Sequence, residues 1–285
     1  TRRYHPKYLQ NLRNLLKVDT ARKNALPIHE PRSVRNNAVD YTHCIRLDFF
    51  GIAATTIFDS GGVFAEASLY DELVQLLNAA PALNEAGIFI KVRLLLEYPY
   101  SISAYTRMQS DVTTDRAAMA DPKYSRDLTL VDRIDESMFA GSHYNMVQRA
   151  MLDRIQNLQS RLVNNEHWNR PDAPNSLTIR FTPVSPQGCC LFINDELFYD
   201  IYLFAKEKRE QVFSKPFSPV VQICHSDSTA RSAFDAFEDH FRYLWDLDIT
   251  LDCSDATFYK PSIPHSLARI KSPSQVRFDH KAAAI

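Results

Sequence analysis

Three arginines are the side chains best able to hold a charged group: Arg46, Arg93 and Arg180, each inside an apolar run that reads as a strand. A guanidinium presents a planar fork of donors that matches a phosphate or carboxylate in a bidentate way. Three of them on neighbouring strands would make an anion site. Alternatively each points to solvent or pairs with an acid such as Asp48 or Glu97, and Asp48 shares a strand face with Arg46 by the period of two. His43 and His225, near strand ends, are further candidate ligands of such a cleft. Tyr98, Tyr100 and Tyr105 follow the carboxyl end of an apolar strand, the usual ligand side of an open α/β sheet. There they could stack on a ring or simply cover the sheet.

Other chemistries find less support. Only six glycines are present, against a usual share of about 7%, and neither GxGxxG nor GxxxxGK[ST] occurs. Cys44, Cys189, Cys190, Cys224 and Cys253 form no CxxC or CxxH pair, so neither a zinc site nor any cofactor is expected. Vicinal Cys189 and Cys190 face opposite sides of a strand, and the set reads as reduced thiols of a cytoplasmic protein. No apolar run approaches the roughly 18 residues that span a membrane, and the amino end lacks the apolar stretch of a signal peptide. Thr1 in place of Met reads as a trimmed end.

The elements that must position these residues follow from periodicity. Residues 41–50 read as a strand, 64–77 as a helix striped by Leu69, Leu73, Leu76 and Leu77, and 88–96 as a central strand. This βαβ unit points to an α/β class. Residues 143–163 read as an amphipathic helix, and four strands follow at 177–183, 190–193, 197–204 and 220–224. Asn194-Asp195-Glu196 reads as a hairpin turn, and a last helix runs from about Ser228 to Trp245 with Asp227 or Ser228 as its cap.

Residues 1–36 read as a helical appendage whose leucine face at 7–17 could dock a partner or a second copy, with Pro27 and Pro31 marking a linker. Residues 37–250 form the body, and 251–285 a loosely ordered tail. The first 36 residues carry nine Lys or Arg and two acids, and residues 254–285 five and two. The stretch between has 19 basic and 30 acidic residues, a net of −11. Basic ends could touch nucleic acid, or fold back on the acidic body.

Three stretches resemble the phospholipase D superfamily. Asp48-Phe-Phe-Gly51, a helix, then Val92-Arg-Leu-Leu-Leu-Glu-Tyr-Pro99 is similar to its first strand–helix–strand. Leu191-Phe-Ile-Asn-Asp-Glu-Leu-Phe198 resembles the hairpin that carries HxKxxxxD, and Ser232 to Trp245 the closing helix. The resemblance covers about residues 41–247 and implies a mixed sheet flanked by helices. With Asp195 as the motif Asp, Gly188 and Cys190 occupy the positions of the His nucleophile and the Lys. Gly can neither attack phosphorus nor carry a proton, and Cys supplies no cation. His5-Pro6-Lys7 has the HxK spacing, but Leu12 stands where the Asp belongs.

The expected protein is therefore a degenerate, non-catalytic member. It would bind a phosphate-bearing small molecule or nucleotide in a regulatory role, of the kind such domains have in bacterial signalling or defence. Two alternatives stay open. One is a phosphodiesterase or nuclease with relocated residues, assembled as a homodimer; the other is a docking scaffold without a ligand.

Overall fold

The computed structural model describes residues 6–33, 40–51, 57, 69–98, 143–169, 173–182, 184–201, 220–248 and 250–252. Helices α1 (Pro6–Leu16) and α2 (Val18–Lys23) lead into strands β1 (Leu26–Ser33) and β2 (Asp40–Gly51). Then come α3 (Tyr70–Asn78), α4 (Ala80–Glu85), β3 (Ile88–Glu97), α5 (His143–Val163) and β4 (Ser176–Thr182). The chain continues through β5 (Gly188–Ile193), β6 (Glu196–Ile201), β7 (Val220–Cys224), α6 (Arg231–Asp246) and β8 (Leu251–Asp252).

The strands form one mixed sheet in the order β7-β6-β5-β2-β3-β4-β8. The middle, β2-β3-β4, is parallel, and β5, β6, β7 and β8 add antiparallel. This is the α/β class expected from the strand–helix–strand periodicity. β3 has parallel neighbours on both sides, which is why its sequence, IFIKVRLLLE, is almost continuously apolar.

Alternation along each strand sends two sets of side chains to opposite faces. On one face Ile45, Leu47 and Phe49 of β2, Ile90, Val92 and Leu94 of β3, and Ile179 and Phe181 of β4 pack beneath the helices α1, α3, α4 and α5. On the other, Phe50, Leu95, Cys190, Phe192 and Leu197 meet α6 through Phe234, Phe241, Leu244 and Trp245.

The amino-terminal region is not an appendage to this body. Leu12 and Leu16 are fully buried in the same core cluster as α3 and the parallel strands. They therefore leave the expected docking face without its central leucines. Arg13 pairs with Glu72 of α3 at 3.3 Å, so this basic segment folds back on the body. The stretch expected to be a linker is β1, antiparallel to the start of β2. Its two prolines are tolerated for two reasons. Among the described residues β1 pairs on one side only, and the register shifts between Pro27 and Arg32.

Three further differences follow the same logic. The helix expected from residue 64 is described from Tyr70. The tail adds a short strand, β8, paired to β4 through Phe181 and Leu251, and residues 253–285 lie outside the described residues. Helix α6 begins after Ala230 without a side-chain cap. Asp227 instead organises the preceding turn, accepting from the Thr229 N–H and hydroxyl, while its carbonyl accepts from Ala230 and Arg231.

Candidate functional site

The three arginines do converge. Arg46, Asp48, Arg93 and Arg180 lie on the α6 side of three adjacent strands, with Asp48 beside Arg93 and Leu95 beside Arg180 in the registers. The Asp48 carboxylate is wholly buried. Arg93 grips it with both arms, Nε to Oδ1 at 2.7 Å and Nη2 to Oδ2 at 2.5 Å, and Arg46 Nε approaches Oδ2 at 2.9 Å. Arg46 also donates through Nη1 to Glu238 of α6, and Glu238 is in turn 3.0 Å from Arg242. Arg180 donates to the carbonyl of Trp245 at 2.5 Å.

Aromatic faces complete the cluster. Arg46 lies over Phe192 at 5.3 Å, Arg93 over Phe241 at 4.9 Å, and Arg180 over Trp245 at 5.2 Å. Phe241 and Trp245 stack on one another at 5.7 Å. Helix α6 thus forms a lid of rings and one carboxylate over the guanidinium groups. The arginines expected to face a ligand are engaged within the fold, mainly by Asp48. Among the charged partners, Asp48 was legible from the alternation in β2, but Glu238 was not. Its place opposite Arg46 depends on how α6 docks.

The hairpin that carries the motif positions is equally committed to structure. A Cβ added at Gly188 would sit 2.5 Å from Tyr199 Cε2 and 2.6 Å from the Asp200 carbonyl oxygen. No side chain fits there without moving backbone. Cys190 is buried under α6, and burial pushes its thiol up to about 12. A thiol held protonated at neutral pH is a poor nucleophile. Burial likewise raises the Tyr199 hydroxyl, with Cys190 and Asp200 adding to the effect.

Asp195 is the second residue of the turn, and its carbonyl accepts from the His225 N–H at 2.9 Å. The residue that anchors the turn is its neighbour Asn194, at φ 54°, a region Asn tolerates better than most side chains. Its Oδ1 accepts from Arg46 N and its own N–H donates to Arg46 O, both at 2.9 Å. Asn194 therefore clips the hairpin to β2 beside the arginine cluster. If Asn194 is used in place of Asp195, the count falls on Gln187 and Cys189. Neither register supplies the missing pair.

The remaining expected residues scatter. Tyr98 is buried in the helical-face core, with its N–H donating to the Thr182 carbonyl at 2.7 Å, so its ring packs rather than stacks on a ligand. Tyr100 and Tyr105 lie outside the described residues. His225 directly follows the far strand β7, with its ring edge-on to Phe234 and Nε2 3.4 Å from Asp235. His43 is at the start of β2, on the opposite face from Arg46 by alternation. There it lines an open groove of about 560 Å³ together with Asp19, Arg22, Lys23, Ala25, Ala86 and Ile88.

Among the described residues no group of three His, Cys, Asp or Glu side chains gathers as a metal would require. Four of the cysteines, Cys44, Cys189, Cys190 and Cys224, are free thiols. No described helix is long and apolar enough to cross a membrane. Comparisons with family models, curated proteins and solved structures found no match to this chain.

Proposed function

We propose that this chain is a phospholipase D-like domain that has given up hydrolysis and acts as a binding and regulatory module for a phosphate-bearing small molecule or nucleotide. The occupancy of the motif positions carries this reading. Gly188 is closed against the Tyr199 ring, and Cys190 is a buried, protonated thiol. Phosphoryl transfer needs a nucleophile and a cation where the charge develops, and these two residues supply neither.

The packing of the three resembling stretches adds support. Asp48 and Arg93 come from the first, Phe192 from the second, and Phe241 and Trp245 from the third, and the five form one cluster around the Asp48–Arg93 pair. A cluster this closed acts as a keystone of the fold. A ligand would have to bind elsewhere on the surface.

The test is an assay with bis(p-nitrophenyl) phosphate and with single-stranded DNA, over pH 6 to 9. No turnover above buffer is expected. Turnover that disappears in Asp195→Asn or His225→Ala would overturn the proposal in favour of a phosphodiesterase with relocated residues.

A further inference from the structure

We infer that the groove between α2 and the start of β2 is the anion site of this domain, and that it takes a small phosphate monoester bearing hydroxyl groups, such as a sugar phosphate or a mononucleotide. This inference rests on the binding-module reading above and assigns that reading a place. It starts from a contrast in how the cations are used. Arg46 and Arg93 face buried carboxylates, and Arg180 holds a carbonyl. Arg22 and Lys23 are exposed at the end of α2, and no described residue makes an ion pair with either. Two neighbouring cations without counter-ions among the described residues, on the wall of a concave surface, are the arrangement an anion neutralises.

The other walls narrow the chemistry. His43 adds an imidazole whose Nδ1 is engaged by the Thr42 hydroxyl at 2.9 Å, leaving Nε2 as the nitrogen with no protein partner among the described residues. Ala25, Ala86 and Ile88 give an apolar floor. A volume of about 560 Å³ falls inside the range of roughly 300–1,000 Å³ typical of small-molecule sites. Asp19 stands in the same wall, four residues before Lys23, yet forms no ion pair with it. A carboxylate there opposes a bare anion but accepts a hydrogen bond from a hydroxyl. The combination suits a ligand with a phosphate at one end and hydroxyls at the other, and it disfavours the uniform backbone of a nucleic acid. The charged groups come from α2 and the imidazole from β2, so the site depends on the packing of the amino-terminal region onto the sheet.

The experiment is calorimetric titration of the full chain with ribose 5-phosphate, adenosine 5′-monophosphate, inorganic phosphate and a single-stranded oligonucleotide. It is repeated on the double variant Arg22→Ala/Lys23→Ala, on His43→Gln and on Asp19→Asn. Saturable binding of the two monoesters is expected, weakened at least tenfold in the double variant and severalfold in His43→Gln. Asp19→Asn should weaken ribose 5-phosphate while leaving inorganic phosphate as tight or tighter. The double variant should keep the parent's thermal midpoint, since neither side chain has an ion-pair partner among the described residues; His43→Gln carries the test if it does not. Three results would each overturn the inference: no saturable monoester binding, monoester binding equal in parent and variants, or binding of the oligonucleotide alone. Equal binding in parent and variants would leave the binding-module reading standing, whereas hydrolysis of a phosphodiester would remove that reading without touching the groove measurement.

Discussion

The two faces of the sheet are built from the same strands and solve burial differently. Under α1, α3, α4 and α5 the sheet presents Leu, Ile, Val and Phe, and the packing is apolar, mostly aliphatic with Phe49, Phe181 and Phe198 among it. Under α6, one residue away along each strand, it presents Arg46, Asp48, Arg93 and Arg180 among aromatic rings. The first face is held by area removed from water, which is non-directional and tolerates volume-conserving swaps. The second is held by directional contacts in which each buried charge needs its partner. The contrast shows why arginines at neighbouring strand positions do not by themselves make a ligand site. A buried guanidinium is as readily a structural group as a binding one, and the counter-ion decides which.

This contrast can be broken at several points. Asp48→Asn should be the most damaging, at about 3–5 kcal/mol, because it leaves Arg93 buried without its carboxylate and Arg46 with Glu238 alone. Urea unfolding measures it, and a loss of the size seen for a surface substitution would mean the cluster is not a keystone. Alkaline unfolding comes next. Burial raises Cys190 from 9.0 to about 12, so the thiol ionises first in the unfolded chain. Its contribution is complete below about pH 9 and falls away as the pH rises towards 12, by up to about 4 kcal/mol. The same ramp on Cys190→Ala should be flatter over that window.

Gly188→Ala should cost about 1–3 kcal/mol through overpacking against Tyr199 and the Asp200 carbonyl. A neutral outcome in the unfolding midpoint would reopen this position to a side chain. The smallest effect belongs to Thr229→Ala, which removes one exposed hydrogen bond. The Thr229 hydroxyl and N–H hold the Asp227 carboxyl below its ordinary range. The variant should return that pKa upward, as read by NMR titration, with the thermal midpoint barely moved.

Much of the fold was legible from periodicity. The bounds of α5 match the apolar spacing of residues 143–163, and β2, β3, β4 and β7 fall close to their expected positions. The first strand was hidden because Pro27 and Pro31 are linker signals unless a bulge and an unpaired side receive them, which is a property of the neighbours. Part of the arginine cluster was legible too, since Arg46 and Asp48 share a face by the period of two. The groove was not, because only His43 carried a local signal and Arg22 and Lys23 sit in a helix too short to stand out.

By itself, then, the sequence determined the α/β class, the position of each arginine on its strand, and the absence of a His and a Lys at the hairpin. These depend on residues a few positions apart, where side-chain direction follows directly from backbone period. Only the tertiary structure decided which charges neutralise one another. Glu238 reaches Arg46 across 192 positions of sequence, and the Trp245 carbonyl reaches Arg180 across 65. Docking of α6 on the sheet made those arginines structural, and packing of α2 beside β2 left Arg22, Lys23 and His43 facing an open groove.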